Sequence, residues 1–173
     1  MKRREFVASV VATGLAVPAM AGQEHTHTPL RGPLASAVVA FGAWRTEPPL
    51  DRFPNVPPPP PANAHLLFPF DAQIRAGGAV SFVISGLHNV QVYAPGTTPE
   101  QINASLTTPM TAPPFLPIID DSNNRVYRGP DPSLLPRDRV EVVHFARPGT
   151  YLVICGFLFH FQDNMFGYVR VRP

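Results

Sequence analysis

Cysteine is almost absent from this sequence. Cys155 is the single thiol among 173 residues, which excludes an intramolecular disulfide, a Cys-based zinc cluster, an iron–sulfur site and a dithiol redox pair. Charge is also scarce. Charged residues make up 15% of the chain and hydrophobic ones 45%, a balance too apolar for a largely disordered protein. Beyond the N-terminus no stretch approaches the ~18 apolar residues of a membrane helix. There is no internal repeat, nucleophile elbow or catalytic triad, and the scattered acids form no acid–base couple. Proline, by contrast, is plentiful at 23 residues. Because interior prolines break helices, this count argues against a helical bundle. The length suits one domain with a real core, and the composition predicts one built of β-strands and loops.

The chain starts Met1-Lys2-Arg3-Arg4-Glu5-Phe6-Val7 and continues with a mild apolar run to Val17. Ala19-Met20-Ala21 then forms a small-x-small cleavage pattern. Arg3-Arg4-Glu5-Phe6-Val7 resembles a twin-arginine export motif, the other reading being an ordinary secretory signal. Either way residues 1–21 are expected to be a signal peptide, cleaved near Ala21, and the protein periplasmic or otherwise exported. Without them the chain keeps 11 basic and 11 acidic residues and no lysine. Its charge is therefore no argument for nucleic-acid binding, and no stable membrane insertion is expected.

Residues 22–63 are expected to hold a polar tail with His25 and His27, a first strand at Ser36–Trp44, and a Pro-rich strap. The strap includes the run Pro57–Pro61, which favours polyproline II. Residues 64–173 are expected to form the main domain. Strands are predicted at His65–Phe70, Gln73–Arg75, Ala79–Ser85, His88–Tyr93, Arg139–Phe145, Thr150–Cys155 and Gly167–Val171, with Gly77-Gly78 as a turn. About 95–137 is a long insertion, with a capped short helix from Thr98 to about Leu106 and a short strand at Arg125–Tyr127. Short strands rich in Val, Phe and Tyr between Gly/Pro turns indicate a β-sandwich.

The chemistry gathers near the C-terminus. Cys155, His160 and Met165 follow one another at intervals of five. Singly, such residues read as a buried small hydrophobe, a structural histidine and core filler. Jointly they are a thiolate, an imidazole and a thioether on one loop, a donor set suited to copper when a second imidazole completes the plane. His88, between Gly86 and Asn89, can supply it. His144 and His65 read as structural or surface residues.

These segments resemble the cupredoxins, the type 1 blue copper proteins such as plastocyanin and azurin. The matching pieces are Gly86-Leu87-His88-Asn89-Val90, Pro148-Gly149-Thr150-Tyr151 leading to Cys155, His160, and Met165 to Val171. Their spacing is similar to that of rusticyanin and auracyanin. The resemblance implies a Greek-key β-sandwich with one type 1 copper ion held by His88, Cys155, His160 and axial Met165. It also implies that Asn89 ties the ligand loops together. A Ser or Thr often follows the cysteine in that family, whereas Gly156 stands here. Phe157, Leu158, Phe159, Phe161 and Phe166 would form an apolar docking patch around the loop histidine, with at least two exposed.

The implied function is a monomeric electron carrier, not an enzyme, serving redox proteins such as a cytochrome or an oxidase or reductase. A copper-handling or copper-sensing protein without redox turnover is the alternative, and an accessory to a copper oxidase or reductase a weaker one. Copper enzymes need further histidines, typically one beside the cysteine, but Ile154 and Gly156 flank Cys155.

Overall fold

The computed structural model describes residues 34–42 and 65–173. The export signal, His25, His27 and the strap at 43–64 lie outside the described residues. In chain order the strands are β1 (Leu34–Gly42), β2 (Leu67–Phe68), β3 (Asp71–Ser85), β4 (Val90–Tyr93), β5 (Thr107–Pro109), β6 (Pro117–Ile119), β7 (Arg125–Arg128), β8 (Asp138–Phe145), β9 (Gly149–Cys155) and β10 (Phe166–Arg172). One short helix, α1 (Leu158–Gln162), lies between β9 and β10.

Two walls of strands make a β-sandwich. In the first, β1 pairs with β2 and runs parallel to β3, whose C-terminal half pairs with β8. In the second, the order is β10, β9, β4 and β7. The N-terminal half of β3 runs parallel to β10 and joins the walls. Alternation explains the packing, since every second strand residue faces inward. Phe82 and Ile84 of β3, Val143 and Phe145 of β8, Val153 and Cys155 of β9, and Val169 of β10 share one buried cluster. Each such large side chain contributes about 1.5–3 kcal/mol by leaving water.

β9 is buried on both faces. Its other phase, Leu152 and Ile154, joins Tyr93, Ile102 and Ile119 in a second cluster, with Leu158, Phe161 and Phe166 packed against it. Residues 95–137 therefore cover the outer face of β4 and β9. This excursion is more regular than its prolines imply: β5 and β6 form a hairpin beside the expected strand at β7.

Three local expectations need correction. Gly77-Gly78 is no turn between strands, because β3 runs unbroken through it. A Cβ on Gly78 would lie 2.1 Å from the carbonyl oxygen of Ala35, so this glycine permits a close backbone approach. The helix from Thr98 is only a 3-10 turn, Pro99–Gln101. The Gln101 side chain accepts from the Thr98 backbone N–H at 2.9 Å, as the capping pattern predicts. Ile102 then turns extended and is drawn into the second cluster, which ends the turn early. Finally, the Cys155–Met165 loop contains α1. Asn164 at φ 62° follows that helix, a left-handed residue of the kind that closes helix ends.

Candidate metal centre

Strand register assembles the site. β4 pairs antiparallel with β9 so that Val90 lies opposite Cys155. His88, two residues before Val90, is thereby carried over the end of β9. On the other side α1 brings His160 back over Cys155. Met165 locks this return: its N–H donates to the His160 carbonyl, and its carbonyl accepts from the Cys155 N–H, each at 2.9 Å. His88, Cys155 and Met165 are buried, and His160 is half-buried.

The three donor atoms form a compact triangle. Nδ1 of His88 lies 3.1 Å from Nδ1 of His160, and Sγ of Cys155 lies 3.6 and 3.4 Å from those two nitrogens. A point equidistant from all three is about 2 Å from each, near the 2.0–2.3 Å bond lengths of a small divalent metal to nitrogen and sulfur. Two imidazole nitrogens and a thiol converging so closely, with buried Met165 beside them, form the His/Cys/His/Met cluster that copper-type chemistry requires.

Burial sets the protonation of these groups. It lowers the His88 pKa to about 3, helped by the charges of His160, His65 and Arg139 and opposed by a backbone hydrogen bond at Ser85. His160 is pushed down to about 4, again chiefly by burial. Both rings are neutral at pH 7 and keep a lone pair for a metal. Burial pushes the Cys155 thiol up to about 12, against hydrogen bonds from the backbone at Asn89 and Phe157. A thiol so placed stays protonated until a cation replaces its proton.

Asn89 has hydrogen-bond partners that the sequence did not announce. Its Nδ2 donates to the carbonyls of Gly129 and Pro130, both at 3.0 Å. Its backbone carbonyl accepts from the Gly156 N–H at 2.7 Å. Its Oδ1 accepts from Nε2 of Gln91 at 3.0 Å, and Gln91 also donates to the Ile119 carbonyl at 2.7 Å. Gln91 is thus the side-chain donor to Asn89 Oδ1. A Cβ on Gly156 would stand 2.4 Å from both Asn89 Oδ1 and Gln91 Nε2, which accounts for the glycine.

Two further features escaped the sequence reading. His65 stacks on His160, with ring centroids 3.9 Å apart and planes 29° apart. His65, His88 and His160 bring ligand atoms within 4.8 Å of one another. No local pattern around His65 announced this, because the contact is made across the fold. Arg139 and Glu141 form an ion pair at 2.7 Å, and Arg139 Nη2 donates to the His88 carbonyl at 2.7 Å. Here a signal existed: Glu141 stands on the same strand phase as Val143 and Phe145, which face inward.

The apolar patch is smaller than expected. Phe157 is a correction: it is buried in the main core at 1% exposure and bridges to Ile118 of β6, so it cannot belong to a surface. Phe159 is 55% exposed, while Leu158, Phe161 and Phe166 are half-buried against the second cluster. One exposed residue, where at least two were expected, reflects the pull of that cluster.

No described helix is long and apolar enough to cross a membrane. No protein-family model and no curated protein matches the sequence. Among solved structures, the chain is similar to reduced auracyanin from Roseiflexus castenholzii, with 17% identity, 82% of this chain and 100% of that one covered, and a TM-score of 0.47. It is also similar to auracyanin A of Chloroflexus aurantiacus, a blue copper protein, with 15% identity, coverage of 82% and 100%, and a TM-score of 0.45. A copper-containing nitrite reductase from Thermus scotoductus is similar at 15% identity and a TM-score of 0.37, the match covering 95% of this chain and 25% of that one.

Proposed function

We propose that this protein binds one copper ion and carries single electrons between redox proteins, without chemistry on a substrate. The observation that carries this reading is the Nδ1, Nδ1, Sγ triangle with edges of 3.1, 3.4 and 3.6 Å. In this reading His88, Cys155, His160 and Met165 would hold the ion. Copper, when bound, supplies the one-electron chemistry by cycling between its two oxidation states. The protein's own part is to keep the donor set fixed. The thiolate suits Cu(I) and the imidazoles suit Cu(II), while strand-end backbone bonds hold these donors in place for both.

Exposed Phe159 beside half-buried His160 supports docking on this face, with Leu158, Phe161 and Phe166 contributing edges. The partner would be a cytochrome or an oxidase or reductase, reached after export through the signal at residues 1–21. Since that cleaved chain is formally neutral, docking should depend little on salt; a steep fall in electron-transfer rate with ionic strength would count against it. The direct test is to load the protein with Cu(II) and record visible and EPR spectra. An intense thiolate-to-copper band, lost in Cys155→Ser, is expected. A colourless wild-type protein would overturn the proposal.

A further inference from the structure

We infer that Arg139 and Glu141 are an oriented charge pair that sets the reduction potential of this centre, with Arg139 as a positioning residue acting through His88. The inference rests on the copper reading above. Its basis is the pair's direction. Arg139 Nη2 donates to the backbone carbonyl of ligand His88 at 2.7 Å, while its Nε donates to Glu141 Oε1 at 2.8 Å. The carboxylate is held from the other side, where the Tyr127 hydroxyl donates to Oε2 at 3.1 Å. The guanidinium therefore touches the ligand segment directly, while the carboxylate, also 2.7 Å from that same Nη2, is held between Arg139 and Tyr127 of β7.

Both side chains are withdrawn from solvent, at 9% and 7% exposure. Screening by water and salt is weak there, so the pair's field reaches its neighbours. A buried ion pair is a poor way to gain stability, because desolvation offsets its attraction. Burying the pair to satisfy the His88 carbonyl and the Tyr127 hydroxyl places a charge beside the ligand segment, which has an electrostatic consequence.

The oxidised ion carries one more positive charge than the reduced ion, so a guanidinium beside the ligand segment disfavours oxidation and raises the potential. Glu141, whose bonds go to Arg139 and Tyr127, carries the opposite charge and opposes it. The two residues must then act with opposite sign. Cyclic voltammetry on copper-loaded Arg139→Met, Arg139→Lys and Glu141→Gln tests this, with the thermal midpoint of each metal-free protein as a second readout. The potential should fall in Arg139→Met, stay close to wild type in Arg139→Lys, and rise in Glu141→Gln. A merely structural role would lower the thermal midpoint in all three without splitting the potentials by sign. Equal or same-direction shifts in Arg139→Met and Glu141→Gln would overturn the inference. If Arg139→Met fails to fold, a potential that does not rise in Glu141→Gln overturns it alone. A wild-type protein without the thiolate band overturns the copper reading instead, so the two failures are distinguishable.

Discussion

Replacing Gly156 by Ser adds only a small polar side chain, yet it should damage the protein. Its Cβ would sit 2.4 Å from Asn89 Oδ1 and 2.4 Å from Gln91 Nε2, well inside contact distance. Gln91 must then swing away and abandon its bonds to Asn89 and to the Ile119 carbonyl. Overpacking costs about 1–3 kcal/mol, and a buried polar group left unpaired about 1–3 kcal/mol. A combined loss of roughly 3–4 kcal/mol in a domain of this size lowers Tm by about 10–15 °C. The assay is thermal unfolding of the metal-free protein, so that ligand binding does not mask the change. Gln91→Ala alone should cost at least about 2 kcal/mol, because Asn89 Oδ1 and the Ile119 carbonyl both lose their donor. In Gln91→Ala with Gly156→Ser the new hydroxyl enters the vacated space, so the double variant should lose about 1–3 kcal/mol less than the sum of the singles. Strict additivity, or a Tm for Gly156→Ser within about 1 °C of wild type, would refute the claim that Gln91 occupies that position.

Three other outcomes are expected. Met165→Leu should keep the thiolate band but raise the reduction potential, because a donor that stabilises Cu(II) is removed; voltammetry beside the visible spectrum checks this. Asp131 is slightly buried, which works against ionisation, but hydrogen bonds from Ser133 and Thr111 hold its pKa down at about 2. Its stabilising contribution is present above the unfolded carboxylate pKa and is lost as pH falls from about 4 toward 2, so Asp131→Asn should flatten that acid limb in denaturation curves. Phe82→Ala, at a fully buried core position, should cost about 3–5 kcal/mol, read as a lower denaturant midpoint with an unchanged slope.

The strands were legible because period-two alternation is a local property, as in Arg139–Phe145 and Thr150–Cys155. The donor types were legible too, since Cys155, His160 and Met165 lie within one short stretch and their chemistry is intrinsic to the side chains. The boundaries that failed were those set by distant contacts. Gly77-Gly78 reads as a turn until Ala35 is seen against Gly78, and the helix expected to reach Leu106 stops where Ile102 finds the second cluster.

By itself, then, the sequence determined a β domain with one thiol, two candidate imidazoles and a thioether in an order that points to copper. Only the tertiary structure decided which neighbours complete the site. His65 reaches His160 from 95 positions away, Gln91 donates to Asn89 from inside β4, and Arg139 grips the His88 carbonyl from β8. Phe157 leaves the surface for the same reason. Side-chain chemistry travels with the residue, but proximity between segments far apart in the chain exists only after strand register and core packing have brought them together.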